Sequence, residues 1–289
     1  VRNRVLIVGG AAVVVALTAL FAWRGSANAR SRRGVPTARA IRVLPPDSVI
    51  SGPVIEEHRV GSYLIRLIAD SAARERIVDI KQNNHRVFAA RAADARLEFV
   101  GKDVTGDHVP DVVVQAFSGG MHCCTQATIL SLGPQLSTIA TIEGADGDVE
   151  FDDVDGDGIP EVKVGDWRYA YWREYAFVET QVPEVILRYD RGAYRPACDL
   201  MKEPPPERAA LERKARTLTD GWTNGDPPAE FYGYILDLIY GGNADVAWRW
   251  VDRAWPAGVG GKEEFLTDFK DRLQGSACWG PPPPERPTT

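Results

Sequence analysis

The sequence predicts an α+β multidomain chain: an N-terminal transmembrane helix, an antiparallel β-meander domain carrying two acidic loops, and a C-terminal region of antiparallel helices. Three observations predict this. Val5 to Trp23 is an uncharged apolar run. Between about Val54 and Ala197, short apolar or alternating runs are separated by Gly, Asp, Asn and Pro at hairpin-like distances. From about Glu203 onward, longer segments rich in Ala, Glu, Lys and Arg are bounded by Pro and Gly. The expected boundaries are 1–24 for the anchor or signal, 25–53 for a linker, 54–200 for the β domain, 201–279 for the helical region and 280–289 for a disordered tail. A chain of 289 residues with 44% hydrophobic content, 8 Trp, 9 Tyr and 9 Phe has ample material for a core, so disorder is expected at the ends alone.

The N-terminal run spans 19 residues, with Arg2 and Arg4 before it and Arg24 after it. About 20 residues of helix cross a bilayer core, and the run exceeds the apolar centre of about 7–15 residues found in signal peptides. Ala27-Asn28-Ala29 has the small-x-small form of a cleavage site. The expectation is an uncleaved anchor, with the membrane as partner through this helix. Arg24, Arg30, Arg32 and Arg33 outnumber the basic residues on the other flank, which by the positive-inside rule holds the body in the cytoplasm. The acidic loops and the 4 Cys fit an oxidising, calcium-rich setting instead. An extracytoplasmic body, periplasmic or at the cell surface, is the expectation carried forward. The net charge is −6, and residues 1–42 hold 8 Arg and no acid, which leaves −14 on the remainder. Such a body repels a phosphate backbone, so no nucleic-acid partner is expected.

After the linker, whose Pro36, Pro45 and Pro46 oppose a long helix, the expected strands follow. They are residues 62–68, 86–89, 96–100, 111–117, 127–132, 137–142, 161–164 and 184–189, too closely spaced for crossover helices and so mostly antiparallel. Four helices are expected: a run from Pro204-Pro-Pro206 to Thr219, then Ala229 to Tyr240, Ala244 to Trp255 and Lys262 to Leu273. In the second, Phe231, Ile235, Leu238 and Ile239 define one apolar stripe. Trp248, Trp250 and Trp255 of the third are expected to pack on the β domain.

Two segments align without gaps at a separation of 50: Asp103-Val-Thr-Gly-Asp-His-Val-Pro-Asp111 and Asp153-Val-Asp-Gly-Asp-Gly-Ile-Pro-Glu161. Each sits between two strand-like runs. Calcium (Ca2+) is a hard ion that takes about 6–8 oxygens. In the second loop these are expected from Asp153, Asp155, Asp157, the carbonyl of Ile159, and Glu161, with Gly158 permitting a positive φ at the sharp turn. Four carboxylates so close repel one another unless a cation joins them; a solvated acidic turn is the alternative. The first loop offers Asp103, Thr105, Asp107, the carbonyl of Val109, and Asp111. Thr105 replaces a carboxylate and His108 stands where Gly eases the turn, so it is read as the weaker site, against a metal-free turn. An EF-hand requires an acid at position 12, which is Val114 in one loop and Val164 in the other.

The pattern resembles the FG-GAP/VCBS-type repeat, in which Asp-x-Asp-x-Asp-Gly-x-x-Asp sits in a hairpin between strands. Asp153, Asp155, Asp157 and Gly158 match it, with Glu161 for the final Asp, while the first loop matches at Asp103, Asp107 and Asp111. The resemblance covers about residues 55–197. It implies calcium in the loops and, since such repeats form propeller blades and this stretch suffices for two or three, a compact β-meander or partial propeller-like β domain whose open edges the helices cover.

Other candidates are less specific. Ser118-Gly-Gly-Met-His-Cys-Cys-Thr125 groups His122, Cys123 and Cys124, read as a structural turn or disulfide ahead of a metal site or a nucleophile. Cys198 and Cys278 are placed to staple the β and helical regions, although 4 Cys allow three pairings. Tyr169, Tyr171 and Trp172 form a sugar-binding platform if exposed and coplanar, and core aromatics otherwise. None of the common nucleophile-elbow, zinc-protease, P-loop or dinucleotide motifs is present. The expected function is a membrane-anchored extracytoplasmic calcium-binding protein with a binding or structural role, whose ligand is a protein or glycan. The alternatives are a hydrolase using His122 or the acidic loop, and a carbohydrate-binding module.

Overall fold

A computed structural model describes residues 40–120 and 124–279. The strands form three antiparallel sheets. The first holds β1 (Arg42–Val43), β2 (Val54–Val60), β3 (Tyr63–Asp70), β4 (Glu75–Gln82) and β5 (His85–Ala92), in the order β1-β5-β4-β3-β2. The second is β6 (Asp94–Lys102), β7 (Asp111–Phe117), β8 (Thr125–Ser131) and β9 (Ser137–Ala145), and the third is β10 (Glu150–Asp152), β11 (Glu161–Gly165), β12 (Glu184–Asp190) and β13 (Ala193–Pro196), both in sequence order. Consecutive strands pair because their turns are short and take left-handed residues where the twist requires them. Asn83 and Asn84 lie at φ 50° and 66° between β4 and β5, and Arg191 and Gly192 at 50° and 81° between β12 and β13.

Side-chain alternation stacks the sheets. On β7, Val112, Val114 and Ala116 pack with Ile65, Leu67, Val78 and Ile80 of the first sheet. Val113, from the opposite face, packs with Ile129, Val149 and Val162. A strand buried on both faces reads as a continuous apolar run, which explains Asp111-Val-Val-Val. The third sheet, through Val164, Val185 and Leu187, also shares a core with α1 (Arg208–Thr219), α2 (Ala229–Tyr240), α3 (Ala244–Ala254) and α4 (Lys262–Leu273). Helix α2 is buried almost all round and forms the centre of this layer. Two short 3-10 turns between β11 and β12 drive Tyr169 and Trp172 into it, against Tyr232 and Phe269. Arg173 ties the same segment to Asp226 (2.8 Å), Glu264 (3.5 Å) and Asp268.

This architecture corrects the expected fold class. In place of a multidomain chain with a partial propeller-like domain and a separate helical region, the described residues all fall in one compact unit of three stacked sheets and four helices. The physical reason is that Val164, Val185 and Leu187 of the third sheet share one core with the helices. A Cys198–Cys278 disulfide, Cα atoms 5.5 Å apart, joins the two parts covalently. No helix among the described residues is long and apolar enough to cross a membrane. The Val5–Trp23 segment, the start of the expected linker and the proline-rich tail lie outside the described residues. The tryptophans of α3 also differ from expectation: Trp250 packs on Phe231 and Tyr234, Trp255 on Trp222 and Phe265, and Trp248 on Phe269, all within the helical layer.

Candidate metal centre

The two acidic loops join equivalent strands. The first, residues 103–111, links β6 to β7, and the second, residues 153–161, links β10 to β11, with Lys102 opposite Asp111 and Asp152 opposite Glu161. Their backbones follow one plan. Position 4 is left-handed in both, at φ 76° for Gly106 and 76° for Gly156. Position 6 is left-handed too, at 64° for His108 and 91° for Gly158, so His108 takes a conformation that Gly adopts at less cost.

The carboxylates wrap each loop alike. The position-6 amide donates to the first acid: His108 N to Asp103 Oδ2 at 2.7 Å, and Gly158 N to Asp153 Oδ2 at 3.0 Å. The position-7 amide donates to the third, Val109 to Asp107 and Ile159 to Asp157, both at 2.8 Å. The position-2 amide donates to the closing acid, Val104 to Asp111 at 3.0 Å and Val154 to Glu161 at 3.1 Å. The loops are also neighbours, since Gly106 faces the side chain of Ile159.

They differ in how the remaining negative charge is met. In the second loop, carboxylate oxygens of Asp153, Asp155 and Glu161 lie within 4.8 Å of one another, a spacing that suits a cation. Asp157 is outside this group, its Oδ1 accepting from Ile159 N. Arg188, on β12, already stands there: its guanidinium donates to Glu161 at 3.2 Å, to Asp155 at 2.8 Å and to Asp199 at 3.2 Å.

The first loop has no such partner, and its three carboxylates do not gather as closely. Burial works against the charge of Asp103, but the amides of Thr105, His108 and Gly106 hold its carboxyl below the usual carboxylate range. Asp111 is 0% exposed, and its Oδ1 has no hydrogen-bond partner. Burial pushes it up to about 6; the Val104 amide opposes this, the charges of Asp107 and Asp103 add to it, and the Thr105 hydroxyl opposes it slightly. Tyr194 closes the site from the third sheet, donating to Val104 O at 3.3 Å.

The structure thus brings Asp153, Asp155 and Glu161 together, and places Asp103, Thr105, Asp107 and Asp111 in a loop of matching backbone. For Ile159 and Val109 it gives the loop position but no contact from their carbonyls. Sequence reasoning missed Arg188 and Asp199, which lie far along the chain, and the position-4 glycines. Gly106 and Gly156 were legible, as the glycine repeated at the same place in both loops.

The remaining candidates resolve differently. His122 and Cys123 lie outside the described residues. Tyr169 is 0% and Trp172 7% exposed, against 60% for Tyr171, so these rings are core aromatics and present no shared platform. No protein-family model, no curated protein and no solved structure matches this chain.

Proposed function

We propose that the chain is an extracytoplasmic calcium-binding protein of the FG-GAP/VCBS-repeat kind, in which the ion serves a structural role. The observation that carries this reading is the twice-built carboxylate loop, with Asp153, Asp155 and Glu161 gathered within 4.8 Å in one copy and a buried, unpartnered Asp111 oxygen in the other. The donors are carboxylates and a hydroxyl, with no sulfur or imidazole among the ligand candidates, and hard oxygen donors favour calcium over zinc or copper. The setting is supported by the Cys198–Cys278 disulfide, which persists in oxidising compartments. Each loop joins two neighbouring strands of one sheet, so an ion there fixes the turn between them and its binding energy adds to folding stability.

The test is a thermal melt of the chain in chelator and in millimolar calcium. At a concentration about 100-fold above Kd, the ion adds about 2.7 kcal/mol, a rise of about 5–10 °C for a body of this size. No shift in millimolar calcium overturns the proposal.

A further inference from the structure

We propose that the chain supplies its own cation to one loop and leaves the other for the metal: Arg188 closes the second loop in place of an ion, and the divalent cation binds the first loop through Asp111. This rests on the reading of the loops as cation sites, and reverses the ranking that their residues alone suggest.

The loops share one backbone and one set of amide-to-carboxylate hydrogen bonds, so their difference lies in what faces the closing acid from the adjacent strand. Opposite Asp111 on β8 stands Ser131. In the third sheet, Val162 pairs with Leu187, so Arg188 takes the equivalent place beside Glu161. An arginine fork matches two carboxylates in a plane, and its charge is permanent. Here it takes one oxygen each from Asp155 and Glu161, two members of the converging group, and keeps hold of Asp199. The guanidinium is therefore part of what draws these acids together. An entering ion has to compete with it for the same oxygens.

Ser131 is short and neutral, and among the described residues no Lys or Arg is paired with Asp103, Asp107 or Asp111. The exposed His108 ring stands 3.9 Å from Asp103. Asp111 Oδ1 is thus a carboxylate oxygen withdrawn from solvent with neither donor nor counter-charge. Such a group is costly unless a cation meets it. Thr105, which makes the first loop look poor, adds a neutral oxygen without adding to the repulsion among the acids.

Calorimetric titration of the chelator-treated full chain with calcium tests this. The wild-type chain is expected to take up one equivalent. Asp111→Asn lowers that affinity by about thirtyfold or more, as for a lost charged ligand, while Asp153→Asn leaves it unchanged. Arg188→Gln frees the second loop and raises the stoichiometry to two. Thr105→Asp, which copies the residue tolerated at Asp155, tightens wild-type binding by about tenfold and serves if Asp111→Asn fails to fold. Loss of binding in Asp153→Asn but not in Asp111→Asn overturns the assignment, as does a wild-type stoichiometry of two that Arg188→Gln does not alter. No binding by any variant at millimolar calcium overturns the cation reading of both loops, and this assignment with it.

Discussion

Asp79 and Asp111 each lie in a central strand of their sheet and are each 0% exposed. Asp79 on β4 is gripped by Arg66 from β3 at 2.5 Å and by Arg86 from β5 at 2.6 Å. Asp111 on β7 has one backbone amide and no cation. Glu161, 2% exposed, is intermediate, with one amide and one arginine. Burying a carboxylate is unfavourable unless it is paired and hydrogen-bonded. The fold meets that demand from its own side chains twice and leaves it open once, which marks the position where an ion has most to gain.

The largest test of this contrast is Asp79→Ala. It leaves Arg66 and Arg86, with side chains 22% and 18% exposed, facing each other without an anion. Removing one partner of a buried pair costs about 3–5 kcal/mol, read as a lower denaturant midpoint at fixed calcium. A loss below about 1 kcal/mol breaks the contrast, because the arginines would then contribute no more than a surface pair.

The second test is the pH dependence of the chelated protein. Asp111 is raised in the folded state to about 6, above its value of about 3.9 in an unfolded chain. The folded protein therefore keeps the proton to higher pH. The contribution of Asp111 is favourable below about pH 4 and is lost as pH rises through about 6, where it has declined by about 3 kcal/mol. Asp111→Asn removes this slope. In chelator at pH 7.5 it is expected to be more stable than the wild type, and in calcium less so. A variant less stable in both media shows that Asp111 is met by a partner other than an added cation.

A third test grafts the solution used at Glu161 onto the first loop. Ser131→Arg places a guanidinium across from Asp111. It is expected to raise stability in chelator by about 1–2 kcal/mol, on the scale of a hydrogen bond to a charged group, and to abolish the calcium-induced rise in Tm. The smallest effect is expected from His108→Gly. Relief of a left-handed non-glycine residue, about 1–2 kcal/mol, is offset by the unfolded-state entropy of Gly, about 0.5–1 kcal/mol. The net gain of about 0.5 kcal/mol should appear equally with and without calcium, since the exposed ring is not itself one of the ligand candidates.

These contrasts also explain what could be read before the structure. Strand β7 was legible because both faces are buried and its valines run together, and α2 and α4 because Pro228, Gly241 and Gly275 mark their ends. Strand β4 was not: Glu-Arg-Ile-Val-Asp-Ile-Lys-Gln mixes charges into the run, and Asp79 becomes a core residue through arginines of two other strands. β13 was hidden by its closing Pro196, and β2 by its exposed edge position. The acidic loops were legible as nine-residue units, because their ligands and turns are local. Their ranking was not. Arg188 lies 27 residues beyond Glu161 and reaches it through strand register, which no local pattern encodes. That the helices share a core with the third sheet was hidden for a related reason: Val164, Val185 and Leu187 come together only once the strands are paired.

The Cys198–Cys278 bond also changes what a cut in the chain does. It closes a ring of sequence around all four helices, entered at the end of the third sheet and left just after α4. A protease that nicks the Gly221–Gly225 turn, or any other single bond between the two cysteines, yields pieces that still migrate together until the disulfide is reduced. The helical layer can be severed, yet it cannot be shed.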